Sequence, residues 1–160
     1  MDNKNNRKKL YEYNNVLKSI DDCYRNIAKR YGFSEAAFWT LYTLRMEPGN
    51  ITQSDVCTVL YQPKQTVNSA LKKLESRGYL RMESMSGDRR NKLLSLTARG
   101  EELLRLAVEP TLSMEERAFL RLTPEERRTF LDLSHRYLNA IREEAEPLLA
   151  QPAPEEWEEV

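Results

Sequence analysis

Near the start of the chain, apolar residues recur at alternating steps of three and four positions. This spacing is typical of one amphipathic helix, which we predict over about residues 8–31, with Gly32 ending it. The stripe consists of Leu10, Tyr13, Leu17, Ile20, Tyr24, Ile27 and Tyr31. Such a helix extends about 36 Å at about 1.5 Å per residue. One small domain does not cover that length, so the pattern indicates a partner surface.

Three shorter helical patterns follow, and each has its own start signal. Ser34 is a suitable N-cap, Thr52 followed by Asp55 resembles a capping box, and Pro63 suits a first helical turn, where its missing N–H is not needed. The expected helices are 34–46, 53–60 and 63–77. In the last of these, the apolar side that we expect to be buried consists of Val67, Ala70, Leu71 and Leu74.

A β-hairpin is predicted over residues 79–96. Its strands are 79–84 and 92–96, separated by a turn at 86–88. Two short helices around a three-residue turn, followed by such a hairpin, are typical of a winged helix-turn-helix. The expected fold class is therefore mainly α with a small β-hairpin wing, and with long helices at both ends.

The rest of the chain returns to helical patterns. Thr97 is expected to cap a helix over 97–121 that Pro110 kinks. The sequence Thr-Pro-Glu-Glu at 123–126 marks the start of a last helix over 124–146, which Pro147 ends. Its apolar positions are Phe130, Leu133, Tyr137 and Ile141. Residues 149–160 are expected to form an acidic disordered tail.

Charge is distributed unevenly along a chain that is neutral as a whole. The 160 residues contain 25 Lys and Arg and 25 Asp and Glu, which excludes a histone-like polycation. Residues 62–92, however, contain eight Lys or Arg against three Asp or Glu, whereas 143–160 contain seven Glu and no basic residue. The negative charge of the C-terminal segment thus cancels the positive charge of residues 62–92 in the total. A local basic patch is sufficient for nucleic-acid binding.

Several functional classes lack their signatures in this sequence. No run of 18 apolar residues predicts a membrane span, and no signal peptide is recognisable, so we expect a cytoplasmic protein. Two Cys and one His provide too few ligands for a zinc site, and no cofactor motif is present. His135 has no nucleophile partner in the sequence, and no phosphate-binding glycine loop is found, so we do not expect an enzyme.

The helix predicted at 63–77 offers the main candidate site. The side opposite its apolar face has basic, amide and hydroxyl groups and no acid, which suits contacts with phosphates and base edges. These candidates are Lys64, Gln65, Thr66, Asn68, Ser69 and Lys72, with Thr66 and Lys72 expected at phosphates. Thr52 and Gln53, at a helix N-terminus, are expected to hold a further phosphate. The alternative is an ordinary solvated helix face.

The hairpin tip is the second candidate. Arg89 and Arg90 on a protruding loop suit the minor groove, and Asp88 is expected to orient Arg90 through an ion pair. Taken alone, the tip also fits a mixed-charge surface turn.

These residues together resemble the MarR family of transcriptional regulators over roughly residues 8–146. The most specific match is the family pattern Asp-x-Arg, five residues, Leu-Thr, two residues, Gly. Here it falls on Asp88, Arg90, Leu96, Thr97 and Gly100. Gln65-Thr66-Val67, Leu74-Glu75 and Gly78-Tyr79-Leu80 match the recognition helix and its exit. Two departures are Pro63, where the family commonly has Ser, and Tyr61, where a small residue or Gly is usual.

The resemblance implies a homodimer that binds a near-palindromic operator. Repression is expected over activation, because it requires only occupancy of a promoter, whereas an activator would need a contact with the polymerase. Residues 34–96 would be the DNA-binding domain, 8–31 plus 97–148 the dimerisation region, and 149–160 the tail. The recognition helix would enter the major groove and the wing the minor groove.

The resemblance also implies regulation, because many family members release DNA when a small aromatic or anionic effector binds. An aromatic pocket from Tyr24, Tyr31, Phe38, Trp39 and Tyr42 is the candidate, with core packing as its alternative. Two alternatives remain: the chain regulates through oxidation of Cys23, or its winged helix binds a protein and not DNA.

Overall fold

The computed structural model describes residues 3–47, 49, 51–85 and 88–152, with the side chains at 3, 85 and 88–90 outside the description. Within these residues the chain is mostly helical, with one two-stranded antiparallel hairpin, which confirms the expected fold class. The elements are α1 (Asn3–Arg30), α2 (Glu35–Met46), α3 (Gln53–Leu60), α4 (Lys64–Ser76), β1 (Leu80–Met85), β2 (Asp88–Leu96), α5 (Ala98–Leu103), a π-helical segment (Leu104–Val108), α6 (Glu109–Phe119) and α7 (Pro124–Leu149).

Ser34, Thr52, Thr97 and Thr123 each cap the helix that the sequence assigns to them. The Ser34 hydroxyl accepts a hydrogen bond from the Ala37 N–H at 3.3 Å, and the Thr97 hydroxyl accepts one from the Gly100 N–H at 3.0 Å. Thr52 and Thr123 each form a complete capping box with the acid three residues later. These caps satisfy backbone donors that the first helical turn leaves without partners, so they fix where α2, α3, α5 and α7 begin.

The helix predicted over 97–121 is present, and it runs without a break from Ala98 to Phe119. Its hydrogen bonding is not α-helical throughout, because a π-helical segment, Leu104–Val108, lies just before Pro110. The Glu109 N–H bonds to the Leu104 carbonyl, five residues back. A π turn of this kind accommodates the bulge in the hydrogen-bond ladder that a helical proline imposes.

Pro147 does not end the last helix, which continues to Leu149. The proline removes one backbone donor close to the C-terminal end, and the Ala150 N–H still bonds to the Glu146 carbonyl at 3.0 Å. The loss is therefore confined to one hydrogen bond near an end that would fray in any case. The first helix also differs, because it begins at Asn3 instead of about residue 8.

The hairpin pairs Leu80 with Leu96 and continues in register as far as Ser84 opposite Lys92, where the register shifts. The second strand begins at Asp88, four residues earlier than predicted. It also reaches the start of α3, because the Leu94 N–H bonds to the Ile51 carbonyl at 2.8 Å. The wing is thereby attached to the helix-turn-helix and not only to the end of α4.

The chain divides into two compact units, Met1–Ser113 and Met114–Val160. In the first, the core lies between α2, α4, the hairpin and the π-helical segment, with Phe38, Leu41, Val56, Leu80 and Val108 at most 1% exposed. The predicted inner face of α4 is confirmed, since Val67, Ala70, Leu71 and Leu74 are all buried.

In the second unit, α7 has no buried residue among those described. The Phe119 and Phe130 rings pack edge to face, with their centroids 6.4 Å apart. No helix in the described part of the chain is long and apolar enough to cross a membrane.

Candidate nucleic-acid interface

The outer side of α4 carries the polar residues that the sequence assigns to base and phosphate contacts. This reading face is Lys64, Gln65, Thr66, Asn68, Ser69 and Lys72, and every member is exposed except Asn68, which is half-buried. The first turn of α4 contains no acid. Glu75, near the other end of the helix, is half-buried and its carboxylate accepts a hydrogen bond from the Met82 N–H at 3.2 Å. The reading face therefore presents basic and amide groups without a carboxylate among them.

Two residues of the reading face are already hydrogen-bonded within the protein. The Gln53 side-chain amide donates to the Asn68 side-chain oxygen Oδ1, which links the start of α3 to the middle of α4. The Ser69 hydroxyl donates its hydrogen to the Gln65 carbonyl at 2.9 Å. Because Ser69 has no second hydrogen, it can only accept from a partner in this arrangement. Asn68 uses only its oxygen in its bond with Gln53, so its NH2 group remains a donor beside those of Lys64, Gln65 and Lys72.

The phosphate site predicted at the start of α3 is organised mainly by its own cap. Thr52 is 8% exposed, and its hydroxyl donates to the Asp55 carboxylate at 2.7 Å. This bond and a second one from the Thr52 backbone N–H hold the pKa of Asp55 below its usual value. The Thr52 hydroxyl is thus committed to the cap. The Gln53 amide gives one of its two hydrogens to Asn68, and its second hydrogen remains available to a phosphate.

The wing is held against α3 by a side chain that the sequence analysis missed. The Asn91 amide oxygen accepts a hydrogen bond from the Ser54 N–H at 3.2 Å. This bond joins β2 to the first turn of α3, where an oxygen acceptor satisfies an otherwise open helix donor. The candidate tip residues Asp88, Arg89 and Arg90 belong to β2, but their side chains lie outside the described residues.

The Leu-Thr-x-x-Gly half of the motif has a structural role. The Thr97 hydroxyl bonds to the Gly78 carbonyl at 2.6 Å, and a Cβ at Gly100 would lie 2.0 Å from the Tyr79 carbonyl oxygen. Arg99 also joins this corner, because its guanidinium donates to the Arg77 carbonyl at 2.9 Å and lies 4.8 Å from the centre of the Tyr79 ring. These contacts fix the point at which β1 leaves α4, and so orient the wing.

The turn between α3 and α4 contains both departures from the family pattern. Tyr61 ends α3 in the left-handed region, with φ 48° and ψ 31°, and its side chain is 84% exposed. Pro63 is the N-cap of α4 and not a member of its first turn, and it makes no side-chain cap hydrogen bond. Its carbonyl accepts from the Thr66 and Val67 N–H groups at 2.9 and 3.2 Å. The turn therefore begins α4 without the hydroxyl cap that a Ser would provide.

The aromatic residues predicted to line an effector pocket are only partly brought together. Trp39 lies at the centre of the cluster, with ring centroids 4.9 Å from Tyr24, 5.2 Å from Tyr42 and 5.7 Å from Phe38. A cavity of about 470 Å³ next to this cluster is lined by Trp39, Tyr42, Thr43, Met46, Glu47, Val59, Leu60 and Gln62. Phe38 is a fully buried core residue, and Tyr24, Tyr31 and Phe38 are not among the lining residues.

The two cysteines occupy different surroundings. Burial raises the pKa of the Cys57 thiol, although the Lys64 charge partly opposes this change. A raised pKa leaves less of the reactive thiolate, so Cys57 is suited to packing and not to sensing. Cys23 is exposed on α1. Among the described residues, no group of three or more potential metal ligands lies together.

Comparison with known proteins identifies a family profile and a transcriptional regulator that are similar to this chain. A profile of the MarR family matches residues 31–91. The transcriptional regulator HosA of Escherichia coli O111:H- is 33% identical over 94 residues, which are 59% of this chain and 69% of HosA.

Two solved structures share the fold. The MepR–DNA complex of S. aureus matches with a TM-score of 0.67 at 20% identity, covering 82% of this chain and 96% of MepR. Bordetella bronchiseptica BpsR, whose DNA binding is regulated by 6-hydroxynicotinic acid, matches with a TM-score of 0.61 at 23% identity, covering 79% of this chain and 98% of BpsR.

Proposed function

Since the chain belongs to the MarR family of DNA-binding transcriptional regulators, we propose that it acts as a homodimeric repressor that binds a pseudo-palindromic operator. The observation that carries the proposal is the reading face of α4, which is exposed, contains no acid and is fixed by a buried inner face. A winged helix that binds protein would need an apolar surface at this position, and α4 exposes none among its described residues. Repression requires only that the bound protein occupies a promoter.

Within this proposal, the residues of the reading face divide by role. Gln65 provides an amide that suits an adenine edge in the major groove, and Lys64 is the adjacent base-edge candidate. Lys72 contacts a phosphate, and Thr66 is a second candidate for that role. The side chains of Arg89 and Arg90 enter the minor groove, with Asp88 orienting Arg90.

We infer the dimer from two exposed apolar surfaces, one on α1 in the first unit and one on α7 in the second. On α1, Leu10, Tyr13, Leu17 and Ile20 are 41–47% exposed, and on α7, Phe130, Leu133, Tyr137 and Ile141 are 38–55% exposed. Stripes of this length on isolated helices are typical of surfaces that a partner covers. A second copy of the chain is the partner that a near-palindromic operator requires.

A protein that binds operator DNA works where the DNA is, so a cytoplasmic location is part of the proposal.

An effector is proposed at the cavity beside Trp39 and Tyr42. The lining is mostly apolar and aromatic, and its volume of about 470 Å³ suits a small aromatic molecule. The same cavity includes Gln62, in the turn that leads into α4. A ligand there would be in direct contact with the segment that sets the position of the reading face. The regulation of BpsR by 6-hydroxynicotinic acid supports an effector of this chemical class.

The proposal is tested by selecting bound sequences from a random duplex library at two salt concentrations. The expected result is a palindromic motif with half-sites about 10 base pairs apart, bound less tightly at the higher salt because phosphate contacts release counterions. Transcription in vitro from a promoter carrying that motif should fall when the protein is added. Motif-free binding would contradict the operator, and increased transcription would contradict the repressor.

Two variants then separate base reading from phosphate contact. Gln65→Ala should relax the selected sequence preference more than it weakens binding to random DNA. Lys72→Ala should weaken binding to all sequences and reduce the salt slope by about one. Equal losses of Gln65→Ala on all sequences would show that Gln65 is not a base contact.

A further inference from the structure

The turn between α3 and α4 is unusual in carrying a bulky residue in a conformation that favours glycine. Tyr61 has φ 48°, and among the described residues it is the only one other than glycine with a positive φ. Left-handed backbone is unfavourable for a residue with a side chain, whereas a glycine ends a helix in this way without strain. The folded chain therefore tolerates Tyr61 at a position where glycine would be more stable.

Burial of the Tyr61 ring does not compensate for this strain, because the side chain is 84% exposed. An exposed phenol gives the isolated chain little hydrophobic stabilisation. Backbone strain of this kind clusters at functional positions, where the rest of the fold offsets its cost. The feature therefore suggests a partner that contacts Tyr61 outside the folded chain.

The neighbouring residue has a second unsatisfied feature. The Gln62 side-chain oxygen is buried and has no hydrogen-bond partner among the described residues. A buried polar atom without a partner also lowers the stability of the fold. Two consecutive residues of the same turn thus carry features that reduce stability.

The turn is placed next to the reading face. Tyr61 precedes Pro63, the N-cap of α4, by two residues, and Lys64 and Gln65 follow at the exposed start of that helix. When α4 lies in a major groove, residues that flank its N-terminus lie close to the sugar-phosphate backbone bordering the groove. A tyrosine hydroxyl is one of the side-chain donors that bind DNA phosphates.

We propose that Tyr61 is a DNA contact whose phenol O–H donates a hydrogen bond to an operator phosphate beside the half-site bound by α4. The inference rests on the proposed DNA-binding function and adds a contact from the turn to those of α4 and the wing. As a neutral donor, Tyr61 fixes the position of α4 on the duplex without adding a charge. Its effect on affinity is therefore separable from that of the lysines.

The test compares Tyr61→Phe with the wild-type protein on the selected operator and on random duplex DNA. Tyr61→Phe should weaken binding about tenfold or more on both, because one hydrogen bond to a charged group is lost. The salt slope should stay unchanged, since a neutral donor releases no counterion. Tyr11→Phe, at an exposed tyrosine of α1, is the matched control and should bind like the wild type.

A second variant, Tyr61→Gly, tests whether the side chain that strains the backbone is also the one that binds DNA. Tyr61→Gly should raise the melting temperature, because glycine adopts the left-handed conformation freely, and it should weaken DNA binding at least as much as Tyr61→Phe. Higher stability with weaker binding is the opposite of what unfolding would produce. The two readouts therefore separate a lost contact from a damaged fold.

Three results would overturn the inference. If Tyr61→Phe binds DNA within twofold of the wild-type affinity, Tyr61 makes no phosphate contact, and the proposed regulator function still stands. A loss of affinity on the selected operator but not on random DNA would show that Tyr61 contacts a base and not a phosphate. A wild-type protein that selects no DNA would overturn the contact together with the proposed function.

Discussion

The polar residues around α4 divide into those that bond within the protein and those that remain available to a partner. Asn68 and Ser69 are hydrogen-bonded to Gln53 and to the Gln65 backbone, respectively. Internal bonds of this kind hold side chains in one rotamer and reduce the entropy lost when a ligand binds. Lys64, Gln65, Lys72 and the NH2 group of Asn68 are therefore expected to provide specificity and affinity.

Two glycines show how differently one residue type contributes. Gly78, with φ 74°, has open space where a Cβ would lie, whereas a Cβ at Gly100 would meet the Tyr79 backbone carbonyl at 2.0 Å. The first glycine is needed for its backbone conformation and the second for its lack of volume.

We expect Gly78→Ala to lower the free energy of unfolding by about 1 kcal/mol, the cost of one left-handed alanine. Gly100→Ala should lower it by about 2–3 kcal/mol, because a backbone atom has to move. Urea denaturation of the two variants beside the wild type measures both values. Equal losses would show that the Tyr79 carbonyl moves away at little cost.

At the level of elements, α3 supports the positions of both α4 and the wing. Its first turn is closed by the capping box, bound by Asn91 of β2 and linked through Gln53 to α4. A change in this turn therefore reaches both parts of the proposed interface. Within this arrangement the Thr52 hydroxyl closes the cap, and the Gln53 amide links α3 to α4.

The capping box predicts a pH dependence of stability. The Thr52 hydroxyl and backbone N–H lower the pKa of Asp55 in the folded state. The charged carboxylate therefore stabilises the fold at pH values above its unfolded pKa of about 4. This stabilisation is lost as the pH falls through the lower folded-state pKa.

Asp55→Asn should be less stable than wild type at pH 6, and the difference between the two proteins should shrink as the pH falls below about 4. Urea unfolding from pH 2 to 6 measures the difference. A difference that stays constant over this range would show that the charge of Asp55 contributes nothing to the cap.

At the scale of the whole molecule, the described chain leaves much of its apolar surface exposed. Most of the exposed large apolar residues lie on α1 in the first unit and on α7 in the second. Monomeric proteins rarely leave stripes of this size in water. The homodimer proposed here would cover them and would present two copies of α4 to one duplex.

A charge within the α1 stripe should therefore prevent assembly. Ile20→Glu is expected to give a monomer in sedimentation velocity, because it places a carboxylate in the proposed apolar interface. Its binding to the palindromic operator should fall more than its binding to a single half-site. Asn15→Glu adds the same charge on another face of α1 and should remain dimeric; a dimeric Ile20→Glu would show that α1 does not form the interface.

Local signals were sufficient for most of the fold and for the inner and outer faces of α4. Caps act within three residues, and helix periodicity within a few turns, so Thr52, Thr97 and Thr123 could be identified without tertiary information. The same signals place Val67, Ala70, Leu71 and Leu74 on one side of α4, which defines the reading face as the other. The spacing of the wing motif added the family resemblance, which comparison with known proteins confirms.

The tertiary structure decided which of those polar residues are available and how strain is distributed. The bonds from Gln53 to Asn68 and from Ser54 to Asn91 join residues 15 and 37 positions apart, and no local pattern encodes such pairs. The effects of Pro110 and Pro147 depended on how the surrounding backbone rearranged its hydrogen bonds, and Tyr61 could be recognised as strained only from its φ angle. The sequence by itself determined the helices, their apolar faces and the charge of the reading face, because these depend on near neighbours. Contacts between distant parts of the chain, such as that of Gln53 with Asn68, decided which polar atoms of the reading face are already bonded within the protein.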